Sequence, residues 1–258
     1  MNNVPIEFIA VDIGNTRMNI GVYGEGAWRG TFKISSRTPA EEMAQDLAQV
    51  IRIYQISSDA PVVIASVKPA ATEALRNAVR SVLSRECIVL TQDLPVPVEN
   101  RTKHPDKVGP DRLVNALAAF ELEQRAVIVV DFGTAITFDV VSQEGAYLGG
   151  TISPGVMLAV QALHQMTALL PLVRPEPNPP VLGDDTLSAI NSGIFHGYVG
   201  MVTNILDRLV ALFPERPRVL ATGGDGDYFA PEVPGIDAIV PRLTLDGIRI
   251  SWERRALA

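Results

Sequence analysis

A short apolar strand running into an Asp-x-Gly turn occurs twice in this chain, at Asp12 and again at Asp131, 119 residues later. Val11-Asp12-Ile13-Gly14-Asn15 is echoed by Val130-Asp131-Phe132-Gly133-Thr134, and a second apolar strand follows each turn. Self-similarity at domain-length spacing points to a duplicated domain, not to a solenoid of short repeats. The chain of 258 residues is long enough for two compact domains.

The residues around the two copies fill in an α/β pattern. In the first, Phe8–Val11 is a strand, and Met18, Ile20 and Val22 alternate with Asn19, Gly21 and Tyr23 as a second, paired through a Gly-Asn turn. Met43, Leu47, Val50 and Ile51 recur at helical spacing after Thr38-Pro39, with Glu41 and Glu42 in the first turn. The run 62–67 is a buried strand, 70–83 a helix and 88–90 another strand. Helix 113–123 leads into the second copy, with strands at 126–130 and 136–141. Helices are expected at 157–169 and 187–213, the latter with Gly197 and Gly200 as points where it could break, joined by the Pro-rich link 171–180. Strand 219–222 ends in Gly223-Gly224, and 243–255 reads as a terminal helix. Strands alternating with helices give two α/β domains, placed at 1–118 and 119–258.

A carboxylate at the end of a strand, next to a Gly turn, lies beside backbone N–H groups that can hold phosphate oxygens. The same carboxylate can hold a cation that neutralises those phosphates. Either hairpin alone reads better as an ordinary turn whose Asp accepts local hydrogen bonds. Two of them a domain apart favour a clamp on a phosphorylated ligand, with Thr16 and Thr134 adding hydroxyls. No G-x-x-x-x-G-K-[ST] motif is present, and no G-x-G-x-x-G follows a strand.

A third acidic position lies between them. Gly109 and Pro110 shape a loop, Asp111 falls at a helix start, and Arg112 follows. A carboxylate there can accept a proton from an alcohol while the guanidinium steadies phosphate or carboxylate oxygens. Asp-Arg at a helix start is also common N-terminal chemistry, and the segment by itself reads better that way than as a catalytic pair.

Composition excludes several classes. A formal net charge of −7 argues against a nucleic-acid binder. The single cysteine, Cys87, lies in an apolar run and reads as a buried thiol in a reducing compartment. The N-terminal stretch lacks signal-peptide features, and the most apolar segment, 156–173, carries Gln161, His164, Gln165 and Thr167, too polar for a membrane span. A protein of the cytoplasm is expected. The three histidines show no metal-ligand spacing, and Ser153 has no G-x-S-x-G context.

Taken in order, Asp12-Ile13-Gly14-Asn15-Thr16, Gly109-Pro110-Asp111-Arg112 and Asp131-Phe132-Gly133-Thr134-Ala135 resemble the signature blocks of type III pantothenate kinases. Gly149–Gly155, Thr186, Gly193 and Thr222-Gly223-Gly224 resemble further blocks, so the likeness spans nearly the whole chain. The resemblance implies two actin-like (ribonuclease H-like) domains with a cleft between them, and phosphorylation of pantothenate by ATP as the first step of coenzyme A synthesis. It implies that Asp111 is the general base and that Gly109, Pro110, Asp111, Arg112 and Thr186 line the pantothenate pocket. Asp12, Ile13, Gly14, Asn15, Thr16, Arg17, Met18 and Asn19 would cradle ATP with Thr134, and Asp131 would hold a monovalent cation, K+ or NH4+, required in addition to Mg2+. It also implies a homodimer whose substrate pocket lies at the subunit interface. The chain departs from the family at Thr102, where relatives commonly carry Tyr. Other actin-like phosphotransferases share the twin hairpins without the Gly-x-Asp-Arg block, and a non-catalytic regulatory relative would keep the fold without needing all three acids.

Overall fold

Period-two apolar patterning needs strands with one face on a core, and both copies deliver it in the same topology. The computed structural model describes residues 6–57 and 59–256. In the first copy β1 (Ile6–Ile13), β2 (Arg17–Gly24) and β3 (Ala27–Ser35) form an antiparallel meander. β4 (Val62–Ser66) and β5 (Ile88–Val89) extend the sheet in parallel from the other side of β1, in the order β3-β2-β1-β4-β5. The parallel steps require crossovers, supplied by α1 (Ala40–Tyr54) and α2 (Pro69–Leu83).

After α3 (Pro110–Glu123) the pattern repeats. β6 (Val127–Phe132), β7 (Ala135–Val141) and β8 (Tyr147–Pro154) are the second meander, followed by α4 (Val156–Met166) and α5 (Thr186–Val210). β9 (Arg218–Thr222), the short α6 (Gly226–Phe229), β10 (Ala238–Ile239) and α7 (Leu243–Glu253) complete the chain. The second sheet runs β10-β9-β6-β7-β8, which read from its far edge is the order of the first. Two five-stranded mixed sheets with helical crossovers make this a duplicated actin-like α/β fold.

Each sheet buries one face in its own core. Ile9, Val11 and Ile13 of β1 pack with Met43 and Leu47 of α1 and Leu75 and Val79 of α2. Ile128, Val130 and Phe132 of β6 pack with Phe195, Val202 and Leu206 of α5. Strand alternation therefore turns Asp12 and Asp131 away from those cores.

Contacts divide the chain into two units. The first takes the described residues up to Glu99, Lys103–Ala118 and those from Leu243 onward; the second takes Asn100–Thr102 and Ala119–Arg242. The expected second domain, 119–258, thus differs at its end, because α7 packs in the first unit. Trp28 Nε1 donates to Asp246 Oδ1 at 2.9 Å, and Thr244 Oγ1 donates to Asn115 Oδ1 at 2.8 Å. Gly247 lies so close to the Val114 carbonyl of α3 that a Cβ would stand 2.0 Å from its oxygen.

Other differences have local causes. β3, β8 and β10 are edge or short strands that the apolar pattern does not announce, β8 running through Gly149-Gly150. The helix expected to reach Leu169 stops at Met166. α5 begins at Thr186 because Asp185 caps it: its carboxylate accepts from Ser188 N at 2.7 Å, and Ser188 Oγ accepts from Asp185 N at 3.0 Å. It runs unbroken through Gly197 and Gly200, the intrinsic cost of glycine being outweighed by packing along its length. Cys87 is buried, and burial pushes its thiol up to about 12, the state of an unreactive structural cysteine.

Candidate active site

In the first unit the β1–β2 connection is a turn closed by Gly14 N donating to Arg17 O at 2.9 Å. Two neighbouring segments hold it from outside. Ser36, just past β3, donates its N–H to Thr16 O at 3.1 Å, and Val67, just past β4, donates to Ile13 O at 3.1 Å. Asn15, Thr16 and Arg17 remain exposed at the tip.

Asp12 stands beside this turn with Asn19 Nδ2 donating to its Oδ2 at 2.8 Å. Burial pushes its carboxyl up to about 7, opposed by the Asn19 hydrogen bond and reinforced by the charge of Asp111. Asp111 is therefore close enough for its charge to be felt at Asp12, although the two lie 99 positions apart in sequence. Asp111 is the second residue of α3, its Oδ1 accepting from Arg112 N at 2.9 Å. Burial raises its carboxyl too, while the Arg112 N–H and guanidinium pull it down. Two carboxylates sharing one partly buried place favour a bound cation and a group able to take up a proton.

A pH dependence follows. Between about pH 4 and 7 folded Asp12 keeps a proton that the unfolded chain has released, so stability falls as pH rises through that window. Asp12→Asn stays neutral and can still accept from Asn19. Its melting temperature relative to the parent is expected to climb from pH 5 to pH 8; a pH-independent difference would contradict this account of Asp12.

The corresponding turn of the second unit is closed by Gly133 N donating to Ala135 O at 3.1 Å. It too is held by the segments after its third and fourth strands. Gly155 N donates to Thr134 O at 3.0 Å, and Asp225 N donates to Phe132 O at 3.1 Å. Both clamps need glycine. A Cβ on Gly155 would stand 2.2 Å from Thr134 O, and one on Gly223, at φ +96°, would stand 2.5 Å from Asp131 Oδ1 and from the Phe132 backbone. The sequence blocks around Gly155 and Gly223-Gly224 are thus backbone pressed against the second turn.

Several expected positions carry structural detail that the sequence did not show. The side chains of Ile13 and Met18 are buried in the first core, so only their backbone lies along the turn. Gly109 packs under the Asp111 carboxylate, and Pro110 opens α3. Thr186 is exposed at the first turn of α5. The Thr102 hydroxyl, standing where the family commonly has Tyr, donates to Asn100 Oδ1 at 2.8 Å and so is engaged within its own loop. Sequence reasoning missed Ser36 and Lys68, whose contacts with the first turn have no local motif; only the Lys immediately before Pro69 at a helix start was there to be noticed.

Among the described residues no group of three or more His, Cys, Asp or Glu is arranged to hold a metal. Asp12 suits a cation that keeps most of its ligands as water and phosphate oxygens, the habit of Mg2+. No helix among the described residues is long and apolar enough to cross a membrane.

Residues 8–208 match the type III pantothenate kinase family. The chain is 40% identical over 252 residues to the type III pantothenate kinase of Rhodospirillum rubrum and 37% identical over 254 residues to that of Moorella thermoacetica, covering 95% of this chain and 98% of each relative. Among solved structures, a Baf family protein from Campylobacter jejuni is similar with a TM-score of 0.61 at 18% identity, covering 97% of this chain and all of the other.

Proposed function

The chain belongs to the type III pantothenate kinase family, and from that premise we propose that it transfers the γ-phosphoryl group of ATP to the primary hydroxyl of pantothenate, giving 4'-phosphopantothenate, the first step of coenzyme A synthesis. What carries the reading is that Asp12, beside the phosphate-type turn, and Asp111, at the start of α3, lie in one unit, close enough for the Asp111 charge to help raise the Asp12 carboxyl.

Phosphoryl transfer asks chiefly for alignment and charge neutralisation. Asp111 takes the hydroxyl proton as the pantothenate oxygen bonds to the γ-phosphorus, and the bond from that phosphorus to the β,γ-bridging oxygen breaks to leave ADP. Gly109, Pro110 and Arg112 place the acceptor around Asp111. The N–H groups of the turn spanning Asp12 to Asn19 cradle the nucleotide. Asp12 would hold Mg2+, which would supply neutralisation of the phosphate charge. Asp131 would hold a monovalent cation, K+ or NH4+. Its carboxylate lies against the backbone at Gly223, and a single acid suits a weakly charged ion. A coupled assay of ADP release with pantothenate as the only acceptor tests the activity. ADP formation only with a sugar, or none at all, would favour another phosphotransferase or a non-catalytic relative.

The enzyme works in the cytoplasm as a homodimer, with no nucleic-acid or membrane partner. The second unit supports the dimer. Its edge strand β8 exposes Ile152, and the end of α4 with the segment that follows exposes Met166, Leu169 and Leu182 at 85, 91 and 86%, apolar side chains suited to a second copy. Sedimentation in solution should give twice the 27.8 kDa chain mass; a monomer at micromolar concentration would remove the dimer.

A further inference from the structure

The two turns are clamped at equivalent places but by different chemistry. In the second unit the segment after the fourth strand of the sheet, β9, presses glycine backbone directly against the turn. In the first unit the segment after β4 reaches its turn with a side chain as well. Lys68 Nζ donates to Asn15 O at 3.2 Å and to Ser36 O at 3.0 Å, so one ammonium joins the turn tip to the segment past β3. Lys68 is itself anchored. Its N–H donates to Ser66 Oγ at 3.1 Å, and Thr72 Oγ1 donates to Ser66 Oγ at 2.6 Å and is also within 3.2 Å of Lys68 O.

We infer that Lys68 is a positioning residue for nucleotide binding, holding the Asn15–Thr16 peptide so that its N–H faces the phosphate side of the turn. A trans peptide is planar, with its C=O and N–H pointing in opposite directions. Pinning the Asn15 carbonyl outward on Lys68 therefore aims the Thr16 N–H away from Lys68. The Ser36 N–H does the same for the next peptide by holding Thr16 O, which aims the Arg17 N–H. Lys68 also fixes Ser36 through its carbonyl, so the two constraints act as one brace. Without it the tip of the Gly14–Arg17 turn keeps the Ser36 bond but loses the tie that orients the peptide before it. The positive charge near a phosphate-binding turn adds attraction in the same direction.

The inference rests on the nucleotide reading of the turn, and the test separates the two. Lys68→Met keeps much of the chain length while removing the donors and the charge. Relative to the parent, the variant should show KM for MgATP and Kd for a non-hydrolysable MgATP analogue raised by roughly tenfold, the scale of a lost charge-assisted hydrogen bond. KM for pantothenate should hold within about twofold and kcat should change less than KM for MgATP, on the scale of a binding rather than a chemical loss. Amide hydrogen exchange over residues 14–17 of the free protein should quicken. Lys68→Arg, which retains charge and donors, should recover part of the nucleotide affinity, and it carries the comparison if Lys68→Met does not fold. Unchanged MgATP affinity, equal losses for both substrates, or failure of Lys68→Arg to recover affinity would overturn the inference. A parent protein that binds no MgATP would instead overturn the nucleotide reading on which it stands.

Discussion

Asp111→Asn should lower kcat by about 10² to 10⁴, the usual worth of a general base, while MgATP still binds. Asparagine keeps the size of the side chain and an oxygen that can accept from Arg112 N, so the start of α3 should stay folded. It removes the carboxylate assigned to take the hydroxyl proton in the proposed reaction. It also removes the charge that helps raise the Asp12 carboxyl, so the substitution relieves one repulsion at the nucleotide turn. Nucleotide affinity should therefore hold or improve as turnover collapses, a split that simple unfolding cannot produce. Turnover at the parent rate would remove Asp111 from the chemistry, and a matching loss of MgATP binding would move it to the nucleotide site.

Asp131→Asn should raise the potassium concentration needed for half-maximal rate by roughly 10- to 100-fold, as loss of even a supporting partner of a metal site commonly does. Its melting temperature should stay near the parent's. Asp131 lies at the end of β6, turned from the core that Val130 and Phe132 enter, and the left-handed backbone at Gly223 leaves space for its carboxylate. Removing the charge leaves that packing in place. Superimposable potassium titrations of the two proteins would contradict the assignment, as would a large fall in stability with the potassium response intact.

Local patterns made the duplicated unit legible. An apolar strand, an Asp-x-Gly turn and a second alternating strand are all contained within about a dozen neighbouring residues, the range over which periodicity speaks. The same reach explains what was not legible. β3 and β8 lie at sheet edges, where glycine and charged residues are tolerated and the apolar pattern is diluted. The return of α7 to the first unit depends on Trp28 meeting Asp246, 218 positions away, and on Gly247 meeting the backbone of α3. Nothing within the helix itself specifies those partners.

The candidate site divides in the same way. Asp12, Asp111 and Asp131 stand in recognisable turn or helix-start contexts and could be picked out from the chain. That Ile13 and Met18 offer only backbone follows from which face of β1 and β2 meets the core. Lys68 lies 53 positions from Asn15 and makes its contacts through folded space. Gly155 and Gly223 were visible as glycine blocks, but their reason is the backbone packed against them.

The most direct measurement follows the phosphoryl group itself. With ATP labelled in its γ-phosphoryl oxygens, pantothenate as the sole acceptor, Mg2+ and K+ present, mass spectrometry should find the label in 4'-phosphopantothenate for the parent protein and nearly none for Asp111→Asn. Label appearing only in inorganic phosphate, or equally in the products of both proteins, would contradict an acid at the start of α3 that deprotonates an alcohol beside a nucleotide-binding turn.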